Sequence, residues 1–149
     1  MRERFTTLLK EAMKAGDKGR VSAIRMITAA LKDKDIEARG LGKTVTDDDI
    51  LALLQKMVKS RQESAEIYEK AGRADLLATE REEIAIISEF LPKQMAEEDV
   101  KAAIAAAMAE TGAAGMKDMG KVIAVLKGKY TGQMDFAKAS AAVKAMLAG

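Results

Sequence analysis

Proline occurs once in this chain of 149 residues, at position 92. Its ring clashes with the preceding helical turn and it lacks an amide donor, so proline interrupts helices wherever it falls. A chain nearly free of it can be helical for most of its length. Alanine, the strongest helix former, is abundant, and aromatic residues make up 3%, too thin for most sheet cores. The expected fold is all-α. The lone proline then marks the interruption, because the residue before it prefers an extended conformation. We read Leu91-Pro92-Lys93-Gln94 as a boundary. Residues 1–92 are expected to form an N-terminal bundle of about four helices, and residues 93–149 a small domain of about three.

Apolar spacing places the helices. Phe5, Leu8, Leu9, Ala12 and Met13 share a face of a first helix over residues 2–15, which Gly16 ends. Asp17 caps a second helix over 18–39, with Val21, Ile24, Ile27 and Leu31 inward. Thr46 caps a third over 47–71, whose stripe uses Ile50, Leu54, Met57, Val58, Ala65 and Tyr68. Asp47, Asp48 and Asp49 fill its first turn, where the helix dipole favours negative charge. They lack the alternating ligands and terminal Glu of a calcium loop. A fourth helix over 74–90 turns Leu77, Ile84, Ile87 and Leu91 to the core, and a fifth over 97–111 uses Val100, Ile104 and Met108. The chain closes with a helix over 117–130, a turn marked by Gly132 and a helix over 136–147.

Several chemistries are excluded by composition. Without cysteine there is no disulfide, thiolate metal site or thiol nucleophile; without histidine the commonest general base and transition-metal ligand is missing. No cofactor motif, metal site or small-molecule substrate site is evident, and no catalytic residue is assigned. No apolar run reaches the roughly 20 residues of a membrane span. The N-terminus lacks the apolar segment of a secretory signal, so a cytoplasmic location is the default expectation.

Charge is distributed unevenly. Residues 1–46 carry 11 Lys and Arg against 6 Asp and Glu; residues 47–111 carry 8 against 15; residues 112–149 carry 6 against 2. The basic ends can meet an anionic partner. In the last segment the cations are Lys117, Lys121, Lys127, Lys129, Lys138 and Lys144, opposed only by Asp118 and Asp135. Lysines on a helical hairpin can contact phosphates as point charges; the plain alternative is a solvated face with stems lying on apolar surface. The hairpin's only rings are Tyr130 and Phe136, too few to stack bases, which favours backbone and shape recognition of structured RNA.

Ordered motifs along the chain resemble the YqeY family. They are Lys59-Ser60-Arg61-Gln62-Glu63-Ser64-Ala65-Glu66-Ile67-Tyr68, then Gly72-Arg73-Ala74-Asp75-Leu76, then Phe90-Leu91-Pro92-Lys93-Gln94-Met95. Met119-Gly120-Lys121-Val122, Gly132 with Asp135, and Val143-Lys144 continue the likeness in the second domain. That domain is similar to the tail of GatB, the subunit of tRNA-dependent amidotransferases that handles the mischarged tRNA. The resemblance implies contact with tRNA, or with a tRNA-bound enzyme, by an accessory protein that is not itself catalytic. The amidotransferase's catalytic cradle has no counterpart in these residues. The chain departs from the pattern at Ala124, where glycine is expected, and in its turn, Tyr130-Thr131-Gly132-Gln133-Met134.

Two other readings stand beside this one. The acidic middle and the methionine-bearing helices fit a protein-interaction module without a nucleic-acid role. Amidotransferase association by homology is the other. In the first domain, Lys59, Arg61 and Arg73 sit among many carboxylates, and the reading preferred is an interhelical ion-pair network rather than a docking site. Tyr68 with Lys59 or Lys70 lacks the oxyanion hole or phosphate loop that an acid–base pair would need.

Overall fold

A computed structural model describes residues 1–148; Gly149, the last residue of the expected second domain, lies outside the described residues. The described residues form seven α-helices and one 3-10 turn, with no strand among them. The helices are α1 (Arg2–Ala15), α2 (Lys18–Gly40), α3 (Asp47–Lys70), α4 (Ala74–Ser88), α5 (Glu97–Thr111), α6 (Met119–Tyr130) and α7 (Phe136–Ala148). The fold is all-α. The chain divides into two compact units, Met1–Leu91 and Pro92–Gly149.

Local chemistry sets the helix ends. The Asp17 carboxylate accepts the Arg20 amide at 3.1 Å and starts α2. A capping box starts α3: the Thr46 hydroxyl accepts the Asp49 amide at 3.2 Å, and the Asp49 carboxylate accepts the Thr46 amide at 2.9 Å. These bonds, the Thr46 amide first, hold the Asp49 carboxyl below the usual carboxylate range. The aspartate cluster is thus a helix start, and among the described residues no group of three or more acidic side chains could hold a metal ion. Gly72 joins α3 to α4 with φ 71°, a left-handed conformation that β-carbon-bearing residues resist.

The first unit packs α1 on α2, and α4 against both α2 and α3. Its core holds Phe5, Ile24, Ile27, Ile50, Leu54, Ile87 and Phe90. Phe5 and Phe90 meet edge to face, with centroids 4.9 Å apart. The Arg4 guanidinium lies 4.9 Å from the same Phe90 ring.

Three details differ from the periodicity. Met13 is 53% exposed rather than inward, because α1 packs chiefly on α2 and nothing covers its far edge. Ile86 and Phe90 are buried, while Leu77 and Ile84 are half-buried; α4 has neighbours on two sides and buries more than one stripe. Finally, α4 ends at Ser88, two residues early, and Phe90 continues as a turn whose amide bonds the Ile87 carbonyl at 3.1 Å.

The second unit packs α5, α6 and α7 around Ile104, Val122, Leu126, Met134 and Val143. Small side chains, Ala103, Ala107 and Ala139, complete that core and let the helices approach closely. Residues after Pro92 are fastened to the α6–α7 turn. The Gln94 side-chain amide donates to the Pro92 carbonyl at 2.9 Å and the Gly132 carbonyl at 2.7 Å, and the Met95 amide donates to the Gln133 carbonyl at 2.8 Å.

Candidate nucleic-acid interface

The hairpin of α6 and α7 is built outward from a buried seam. Val122 and Leu126 on α6, and Ala139 and Val143 on α7, are buried. A spacing of four residues puts each pair on one face, and the lysines take what remains. Gly132, with φ 78°, turns the chain between the helices, and its buried position leaves its carbonyl to Gln94.

All six candidate lysines are exposed. Lys117 lies in the 3-10 turn before α6; Lys121, Lys127 and Lys129 lie on α6; Lys138 and Lys144 lie on α7. At about 100° per residue, Lys121 and Lys129 are about 80° apart on α6, while Lys127 is about 160° from Lys129. The α6 lysines therefore spread over the whole solvent side of the helix, not along one stripe. Gly120, Ala124 and Gly128 occupy the surface between them, so the ammonium groups rise from a low floor.

The hairpin's two carboxylates are engaged by backbone. Asp118 accepts from the Ala114 amide at 3.0 Å and the Gly115 amide at 3.4 Å. The Ala114 bond, then the Gly115 bond and the nearby Lys121 and Lys117, hold its carboxyl below the usual range. Asp135 caps α7, accepting from the Ala137 amide at 2.9 Å and the Lys138 amide at 3.3 Å.

One lysine is different. Lys129 Nζ donates to Glu110 Oε2 on α5 at 2.7 Å, and that bond raises its pKa above the ordinary lysine value. Lys117, Lys121, Lys127, Lys138 and Lys144 form no ion pair among the described residues. The sequence offered no signal for the Glu110 contact, which joins residues on two helices. Asp135 as a cap was legible, since it immediately precedes a helix.

Tyr130 and Phe136 are half-buried and pack on the core of the unit. They are unavailable as stacking platforms. Among the described residues no helix is long and apolar enough to cross a membrane.

In the first unit, Arg61 bridges three helices. Its Nε donates to Glu83 at 2.9 Å, one terminal nitrogen to the Met57 carbonyl at 3.1 Å, and the other approaches the Met26 sulfur at 3.8 Å. Arg81 lies 3.8 Å from Glu69. Of the cations read from the sequence as a network, Arg61 bridges helices, whereas Arg73 pairs locally, 3.6 Å from Asp75.

Comparison with known proteins adds a family and relatives named for a compartment. The chain is 36% identical over 83 residues to Altered inheritance of mitochondria protein 41, mitochondrial, of Lachancea thermotolerans, covering 56% of this chain and 43% of that protein. Its namesake in Eremothecium gossypii is 34% identical over 93 residues, 60% of this chain and 50% of that protein. The Saccharomyces cerevisiae namesake (strain YJM789) is 31% identical over 83 residues, 56% and 44% respectively. The matched stretch spans half or less of each of these relatives. Their names overturn the cytoplasmic expectation, since all three are mitochondrial. The physical reason is simple: a missing apolar segment speaks against a secretory signal, whereas mitochondrial addresses are amphipathic and arginine-rich. A family model described as Yqey-like protein matches residues 2–147, and the chain belongs to the YqeY family.

Proposed function

We propose that this chain is a non-catalytic accessory protein whose α6–α7 hairpin contacts tRNA, alone or on a tRNA-bound enzyme. The observation that carries the reading is the state of the hairpin's charges. Among the described residues five exposed lysines form no ion pair, while both nearby carboxylates accept from backbone amides. The GatB-like sequence of this segment selects tRNA among the anionic polymers. Its two rings are half-buried, which suits phosphate contact and shape recognition better than base reading.

The test is a gel shift of tRNA by the full chain across a salt series. Engaging about four phosphates gives a log–log slope near −3 to −4. Lys121→Glu with Lys127→Glu should reduce the slope by about one per lysine and weaken binding at every salt concentration. Binding that ignores this double substitution would remove the hairpin from the interface. Lys129 is left intact in that variant, because Glu110 already holds it.

A further inference from the structure

A groove in the first unit opens between the end of α2, the loop after it and the first turns of α3. Its volume is about 310 Å³. That is the low end for a small-molecule site and suits one or two apolar side chains. Its floor is apolar, made by Ala38, Val45, Ala52 and Leu53. Leu41 stands at the lip, 66% exposed, although an apolar residue of this size gains by burial.

Three ammonium groups surround this floor: Lys34, Lys43 and Lys56. Two carboxylates share the rim, and both are engaged locally. Asp49 closes the capping box with Thr46 and feels the charges of Lys34 and Lys43, and Glu37 lies 3.6 Å from Lys34. Lys43 and Lys56 form no ion pair among the described residues. The first unit as a whole is balanced, and Asp47, Asp48 and Asp49 open the α3 wall, so the attraction for an anionic segment is local to Lys43 and Lys56.

Each class of occupant leaves something different unsatisfied. Nucleic acid or a small anion would meet the lysines but leave the floor and Leu41 facing water. A neutral apolar segment would fill the floor and leave the ammonium groups idle. A segment with an apolar anchor flanked by Asp or Glu meets both. We propose that this groove docks an acidic amphipathic segment of a protein partner, with apolar side chains on the Val45–Leu53 floor and carboxylates at Lys43 and Lys56. This surface belongs to the first unit and does not depend on RNA contact by α6 and α7.

The probe is a fluorescent Leu/Glu peptide of about 18 residues, with leucines at helical spacing, titrated with the full chain. Polarisation should rise saturably, and a Leu/Lys peptide of the same pattern should fail to bind. Lys43→Glu with Lys56→Glu should weaken binding about tenfold or more, an effect that shrinks as salt rises. Leu41→Asp should weaken it by about tenfold at every salt concentration. All three positions are exposed, so both variants should keep the wild-type circular dichroism. Lys121→Glu with Lys127→Glu should leave peptide binding unchanged, which separates this proposal from the tRNA reading. No saturable binding up to about 1 mM peptide would overturn the proposal. So would a charge effect without a Leu41 effect, which would mean unspecific attraction. tRNA binding that is lost in the Lys43/Lys56 variant and indifferent to Leu41→Asp would hand the groove to nucleic acid and overturn it as well.

Discussion

The two units spend positive charge differently. In the first, arginines reach across helices: Arg2 to Asp35 at 2.6 Å, Arg20 to Glu89 at 2.5 Å and Arg61 to Glu83 at 2.9 Å. That unit holds 17 cations and 17 anions. In the second unit every cation is a lysine, and among the described residues Lys101 pairs with Glu97 and Lys129 with Glu110. The planar guanidinium matches a carboxylate with two parallel bonds, as Arg2 and Arg20 show, and so fixes helix register. A lysine is a hydrated point charge on a flexible stem, inefficient as a clamp and well suited to a mobile anionic surface. Arginine thus acts within the first unit, and lysine leaves the second unit's charge at its surface.

The comparison breaks most visibly in the cores. Ile87→Ala should cost about 2–5 kcal/mol, because Ile87 is fully buried where α4 meets α2 and α3. Leu126→Ala should cost a similar amount in the second unit, at the upper end if the small alanines around it cannot close the cavity. Amide exchange followed residue by residue distinguishes the two. Each substitution should speed exchange in its own unit, and equal acceleration in both would mean that the units do not unfold separately.

The ion pairs sharpen the contrast at smaller magnitude. Arg61→Met leaves Glu83, whose side chain is 17% exposed, without its guanidinium. We expect a loss of about 3 kcal/mol in denaturant unfolding, with part of it recovered by adding Glu83→Gln. Lys129→Met removes an exposed pair and should change stability little. A Lys129 effect as large as that of Arg61 would erase the distinction between clamping and surface cations.

pH gives the smallest effect. The Glu110 bond raises the Lys129 pKa, so the folded state holds that proton more tightly than the unfolded chain does. Its contribution is complete below the ordinary lysine value of about 10.4 and is lost as pH rises through the folded value. The arginine pairs of the first unit stay charged there. At the acid end both units are affected, since Asp118 of the second unit is also held below its usual range. The carboxyls of Asp35, held by the Arg2 hydrogen bond, and of Asp49, held by Thr46, lie below their usual range. Their contribution is present above about pH 3.9 and is lost as pH falls through the folded values. Exchange measured near each limit should therefore show the second unit loosening slightly first in alkali, and the α1–α2 contact, the start of α3 and the turn before α6 loosening in acid.

Much of the fold was legible because helices announce themselves locally. Asp17, Thr46, Gly16 and Gly72 mark ends by capping and left-handed geometry, and the fifth helix falls on residues 97–111 as its spacing indicates. Burial was less legible. Met13 has the spacing of a core residue and lies exposed, whereas Phe90 sits beyond its helix and is buried against Phe5. Periodicity says which residues share a face; it does not say how many neighbours the helix has. The candidate lysines were visible as a local excess, but their charge state relative to partners was not.

Composition and spacing were enough to establish an all-helical chain, its punctuation at Pro92 and a lysine-rich end, because each depends on residues within a few positions of one another. Pairing was settled by folding. Arg20 meets Glu89 across 69 positions and Lys129 meets Glu110 across 19, while Lys121 forms no ion pair among the described residues. The reason is physical: an ion pair depends on a few ångströms in space, and separation along the chain carries almost no information about that distance once helices pack.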